Sequence, residues 1–162
     1  MANFACIIGS VTRAAATVLF VFSLACFSVI AQTPAEPAFN DLSGKSHSLA
    51  EYQNKVVILN FWATWCGPCR DEIPMLSKLS KDFAPPDVVF LAVSLDEKSR
   101  EKIPRFLEKK KITLSVFTGA TPATLHDFQL GEIVPATIIL DRQGQPAFRI
   151  MGQASKKTSS LA

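Results

Sequence analysis

The order of apolar and polar positions divides the chain into alternating strand and helix signals. Residues Val56–Trp62 are continuously apolar except for Asn60, the pattern of a central strand covered on both faces. From Cys69 the period changes. Ile73, Leu76, Leu79 and Phe83 recur at helical spacing with Pro74 expected to kink the helix, and Pro85-Pro86 ends it. Val88–Leu95 reads as a second buried strand, and Asp96–Lys111 as a charged helix in which Pro104 marks the first turn of the better-formed half. Leu114–Phe117 is a short strand and Pro122–Phe128 a short helix. Ala136–Asp141 and Ala147–Met151 are strands joined by the turn Arg142-Gln143-Gly144-Gln145. Upstream, Phe39–Leu42 and His47–Leu49 flank Ser43-Gly44-Lys45, a small hairpin around a glycine turn. Strands that alternate with helices and finish in a hairpin predict an α/β chain, with a mixed sheet flanked by helices.

The amino terminus follows another pattern. Arg13 precedes an uncharged, largely apolar stretch over residues 14–31, and Gln32–Pro37 forms a Pro-containing linker. Two readings stand side by side: a cleaved signal peptide, with Val29 and Ala31 as the small residues before the cut, or an N-terminal membrane anchor. A lipid-modified Cys26 fits less well, because Ser23 stands where an aliphatic residue is expected. In both main readings Arg13 stays on the cytoplasmic side and the rest of the chain lies outside it, in the periplasm or on the outer face of the membrane. The 162 residues therefore divide into an export segment (1–31), a linker (32–37), one folded domain (38–152) and a polar tail (153–162).

The formal net charge of +3 says little about partners. The densest basic cluster, Lys109-Lys110-Lys111, has no interleaved aromatics, and reads as the solvated end of a helix rather than a nucleic-acid patch. The cysteines change the picture more. Cys6 and Cys26 lie in the export segment, which leaves Cys66 and Cys69 in the domain. An exported pair is usually structural, but a loop this short constrains little of the unfolded chain, so chemistry is the better reason for it. Cys66 falls where the strand Val56–Trp62 gives way to a helix, and the unpaired N–H groups and positive dipole end there favour a thiolate. Cys66 is then the attacking thiolate, and Cys69, one turn inside, resolves the mixed disulfide.

The run from Lys55 to Pro74, centred on Trp65-Cys66-Gly67-Pro68-Cys69, resembles the active-site segment of the exported thioredoxin-like family that includes TlpA and ResA. The resemblance extends from about Phe39 to Gly152. It implies a thioredoxin fold with an N-terminal hairpin extension, and thiol-disulfide oxidoreductase activity with no cofactor. Gly67-Pro68 matches the dipeptide of thioredoxin, whose attacking cysteine has a pKa of about 7 and whose potential is about −270 mV, so a reducing poise is expected. Val134-Pro135-Ala136-Thr137 resembles the segment whose cis-proline faces the disulfide, with the backbone at Val134 open to a substrate strand. Glu72 matches an acidic position that the family keeps near the thiols, and is read as the proton acceptor for Cys69; the alternative is an exposed glutamate in the first helical turn. Asn60 departs from cytosolic thioredoxins, which carry a buried aspartate there. Trp65, Gly67, Pro68 and Val134 are expected to contact substrate, whereas Trp62 belongs in the core.

The resemblance further implies disulfide-containing protein substrates, for example in cytochrome c maturation, and a membrane electron donor. Three rivals can be weighed. A metal site lacks a second pair of ligands, since His47 and His126 are distant in sequence and read as surface residues. A peroxiredoxin-type peroxidase fits Val88–Leu95 followed by Asp96, but its motif needs a threonine where Ala63 stands, with Thr64 one position late. A non-catalytic binding module has no use for an intact Cys66 and Cys69. After Gly152 only a polar tail remains, so the helix that usually finishes the fold is expected to be short or absent.

Overall fold

A computed structural model describes residues 37–83 and 85–154. The proposed export segment, most of the linker and residues 155–162 lie outside the described residues, as does any final helix.

Seven strands form one sheet in the order β2-β1-β5-β4-β3-β6-β7. They are β1 (Ala38–Asp41), β2 (Ser46–Ser48), β3 (Val56–Trp62), β4 (Val88–Ser94), β5 (Ser115–Thr118), β6 (Ala136–Leu140) and β7 (Pro146–Met151). The helices are α1 (Gly67–Phe83), α2 (Lys102–Lys110) and α3 (Pro122–Asp127), with a 3-10 turn at Leu49–Tyr52. β3, β4 and β5 run parallel, β6 pairs antiparallel with β3 and β7 with β6. The β1–β2 hairpin extends the sheet by pairing antiparallel with β5.

Period-2 alternation explains the two cores. Val57, Leu59 and Phe61 of β3 join Leu91 and Val93 of β4 on one face, with Leu125 of α3. Trp62 and Ala92 point to the other, where Cys69 and Ile73 of α1 and Ile103 of α2 cover them. Trp62 is fully buried, its ring centroid 5.3 Å from that of Phe106 on α2. The dithiol thus belongs to the face covered by α1 and α2.

The structure corrects one predicted boundary. The helix expected over Asp96–Lys111 begins only at Lys102, because Asp96 is buried and used elsewhere. α1 runs unbroken through Pro74, and Lys109, Lys110 and Lys111 are exposed at the end of α2, where Lys111 takes a left-handed C-cap conformation.

Candidate active site

The site is assembled where β3 ends. The Cys66 carbonyl accepts the Arg70 N–H at 3.2 Å, so Cys66 occupies the cap position of α1. Its sulfur receives the Cys69 N–H at 3.2 Å. That N–H is one of the donors a helix leaves unpaired in its first turn, and the sulfur takes the place of the usual capping oxygen. The same N–H, with the helix dipole behind it, stabilises a thiolate at Cys66 when the pair is reduced. Pro68 sits in the first turn, where a missing N–H costs nothing. A Cβ at Gly67 would meet nothing within 4 Å, so the glycine relieves no clash.

Cys66 and Cys69 form a disulfide, with Cα atoms 5.3 Å apart. Cys69 is fully buried and Cys66 is 6% exposed. Opposite them, the Val134–Pro135 bond is cis, and the Val134 carbonyl oxygen lies 3.5 Å from the Cys66 sulfur. Trp65 projects into solvent beside the pair, 64% exposed.

Glu72 is buried, not exposed as the alternative reading had it. It follows Cys69 by three positions, on the same side of α1. Its Oε1 accepts the Ala154 N–H at 3.2 Å, and its Oε2 has no partner. Burial pushes its pKa from 4.5 up to about 7, with the Ala154 hydrogen bond pulling the other way. The other buried, unpartnered side-chain atoms among the described residues are Asn60 Oδ1 and Trp62 Nε1. Asn60 and Trp62 alternate along β3 and so face the same side of the sheet; the Asn60 amide nitrogen donates to Thr137 Oγ1 at 2.9 Å.

Sequence reasoning missed two parts of the site. The first is Asp96, whose carboxylate accepts four hydrogen bonds of 2.7 Å, from the Thr64 N–H and from the hydroxyls of Thr64, Ser94 and Ser99. Asp96 thereby fastens the loop two residues before Cys66 to the end of β4. A polar residue directly after a buried strand was the available signal. The second is the segment Gly152–Ala154, assigned to the domain boundary and tail. The Gly152 N–H donates to the Pro135 carbonyl at 2.9 Å, the Gln153 side chain to the Pro68 carbonyl at 3.4 Å, and Ala154 to Glu72. Three successive residues thus bind the proline loop, the dithiol turn and the buried acid. No sequence signal marked them.

The histidines stay apart from this assembly. His47 hydrogen-bonds Glu51 at 2.9 Å and Asp41 at 3.2 Å in the N-terminal hairpin, and His126 is exposed on α3. Among the described residues, no three His, Cys, Asp or Glu side chains gather closely enough to hold a metal ion. No helix among them is long and apolar enough to cross a membrane.

Residues 30–146 match the AhpC/TSA family. The chain is 30% identical over 128 residues to the thiol-disulfide oxidoreductase ResA of Geobacillus thermodenitrificans, covering 79% of this chain and 72% of that one. It is 35% identical over 117 residues to the thioredoxin-like protein YneN of Bacillus subtilis, covering 72% and 68%. A thiol:disulfide interchange protein of the thioredoxin family from Chlorobium tepidum superposes with a TM-score of 0.63 at 29% identity, over 80% of this chain and 92% of that one. The fold is a thioredoxin fold.

Proposed function

The chain belongs to the AhpC/TSA family and is a thiol-disulfide oxidoreductase, and from that premise we propose that it reduces particular protein disulfides outside the cytoplasm through Cys66 and Cys69. The observation that carries this reading is the placement of Cys66, capped by the Cys69 N–H at 3.2 Å and facing the Val134 carbonyl at 3.5 Å. A substrate strand that pairs with the backbone at Val134 presents its disulfide to the Cys66 sulfur.

The exchange runs in two displacements. The Cys66 thiolate attacks one sulfur of the substrate disulfide, forming a mixed disulfide and releasing the other sulfur as a thiolate, which takes a proton. Cys69 then loses its proton, attacks the Cys66 sulfur and releases the second substrate thiolate. Two electrons pass to the substrate, and the pair is left as the disulfide seen here. Glu72 is the proton acceptor for Cys69: it lies one turn further along α1, and its Oε2 is unpartnered. With a pKa near 7 it can both accept and return that proton at neutral pH. Trp65, Gly67, Pro68 and Val134 form the substrate-facing surface, and Pro135 holds Val134 in place.

Export through residues 1–31, by a cleaved signal or an anchor, places this chemistry in the periplasm or on the outer membrane face. A membrane dithiol donor then returns the electrons, and substrates such as apocytochrome c disulfides before haem attachment suit a reductant there. The peroxidase reading is weaker on this geometry. Ala63 carries no hydroxyl, and the Thr64 hydroxyl is committed to Asp96.

The test is a trap. In Cys69→Ser the mixed disulfide forms at Cys66 and cannot resolve, so specific extracytoplasmic proteins should be captured and released by reductant. Capture of nothing, with wild-type protein also inert towards model disulfides, overturns the proposal.

A further inference from the structure

Beside the dithiol lies a groove of about 300 Å³, and its charge pattern bears on which disulfides the site takes. Its lining includes Trp65, from the turn before Cys66, Leu95 and Glu97, after β4, and Glu132, Ile133 and Val134, from the loop before β6. Val134 is shared with the reactive centre, since its carbonyl touches the Cys66 sulfur. An occupant that touches Val134 is therefore one residue's breadth from the sulfur that attacks.

Two features of the groove point to the same occupant. Trp65 and Ile133 are 64% and 70% exposed, large apolar side chains of the lining held open to solvent. The only charged residues in the lining, among the described residues, are the two glutamates. An apolar slot flanked by carboxylates accepts an apolar side chain with a cation next to it. The Trp65 indole adds a face on which a guanidinium or ammonium can rest, and an acidic neighbour would be repelled by Glu97, Glu132 and the Cys66 thiolate together.

We propose that this groove makes the protein selective for disulfides in extended polypeptide segments that carry a lysine or arginine within a residue or two of the attacked cysteine, beside an apolar side chain. The proposal rests on the disulfide-reductase reading and names its substrate class. The chemistry is unchanged: Cys66 forms the mixed disulfide with the cysteine seated at Val134, the partner sulfur leaves as thiolate, and Cys69 completes the two-electron transfer.

The experiment uses three synthetic peptides that share one intramolecular disulfide and one apolar neighbour and differ only in the flanking residue, lysine, glutamine or glutamate. Rates of reduction by the reduced full-length protein are compared at low and high salt. In parallel, serine-for-cysteine versions of the peptides are titrated against the oxidised protein by Trp fluorescence. The expected order is lysine, glutamine, glutamate in both assays, with about a tenfold span in rate at low salt that shrinks to about twofold at high salt. In Glu97→Gln/Glu132→Gln the span should collapse to about twofold, and Glu97→Lys/Glu132→Lys should invert the order.

Equal rates and equal binding across the three peptides overturn the proposal while leaving the reductase reading intact, and so does a charge span that the double substitution to glutamine leaves undiminished. Charge-ordered binding without reduction of any peptide upholds the groove's preference and overturns the reductase reading. Tight binding of an anionic peptide, or of a second copy of this chain at the groove, would assign it another occupant and overturn the proposal.

Discussion

Replacing Glu72 by glutamine separates the cost of the buried acid from its use. In the oxidised protein the carboxyl is buried with one hydrogen bond, from Ala154, and its pKa stands at about 7 against 4.5 in water. A carboxyl whose pKa rises on folding contributes its full stability below the unfolded value, and that stability is lost as pH rises through the folded one. At about 1.4 kcal/mol for each pH unit, the rise from 4.5 to about 7 corresponds to about 3 kcal/mol, lost between pH 4.5 and somewhat above 7. Glu72→Gln keeps the oxygen that receives the Ala154 N–H and removes the charge. Its amide adds a donor that needs a partner, a cost of about 1 kcal/mol at every pH. Urea unfolding of both oxidised proteins at fixed ionic strength should find the variant slightly less stable at pH 4 and about 2 kcal/mol more stable at pH 8. The change in that difference, about 3 kcal/mol, is the diagnostic, because pH-independent costs cancel. In single-turnover reduction of a model disulfide, resolution by Cys69 should slow about a hundredfold at pH 8 in the variant and lose the dependence on pH around 7. A stability difference that does not change with pH would refute the placement of an ionisable acid in a dry pocket. A resolution rate equal to wild type would refute its role as proton acceptor.

Three further outcomes follow from the same geometry. Asp96→Asn leaves N–H and O–H donors around Asp96 facing an amide instead of a carboxylate, and should cost about 3 kcal/mol in urea unfolding and slow attack by Cys66; a loss below about 0.5 kcal/mol would show that the network does not hold the loop. Ala154→Pro removes the N–H on Glu72 and should raise the acid's pKa further, moving the midpoint of the stability-versus-pH curve to higher pH; an unmoved midpoint would show that Ala154 does not tune it. The hydrogen bond to Glu51, and after it the one to Asp41, lifts the His47 pKa, so the stability lead of wild type over His47→Gln should be full below about pH 6.5 and fade as pH rises through the lifted value; a constant lead would mean that the imidazolium is not what those carboxylates hold.

How far the sequence carries depends on how far apart in the chain the partners are. β3, the start of α1 and the placement of Cys66 at their junction are legible, because an apolar run, a change of period and a Cys-Gly-Pro-Cys turn are all local. The β1–β2 hairpin and the β6–β7 turn are legible for the same reason. The burial of Glu72 is not, since it is completed by Ala154, 82 positions away, in a segment whose composition reads as tail. Nor is the start of α2: the charged residues after Asp96 have a helical composition, but Asp96 is drawn into the protein by Thr64, 32 positions earlier, and the helix waits until Lys102. The groove beside Cys66 is the extreme case, built from four separate stretches of chain whose glutamates are unremarkable one at a time.

Whether this dithiol works as an electron donor is decided by the equilibrium potential of the Cys66–Cys69 couple. Full-length protein is equilibrated in dithiol–disulfide buffers of graded potential, and the reduced fraction is read by Trp fluorescence or thiol alkylation. An electron donor should show a potential close to about −270 mV, that of thioredoxin, whose Gly-Pro dipeptide this turn shares. A potential near about −120 mV, that of a strong oxidant, would contradict it.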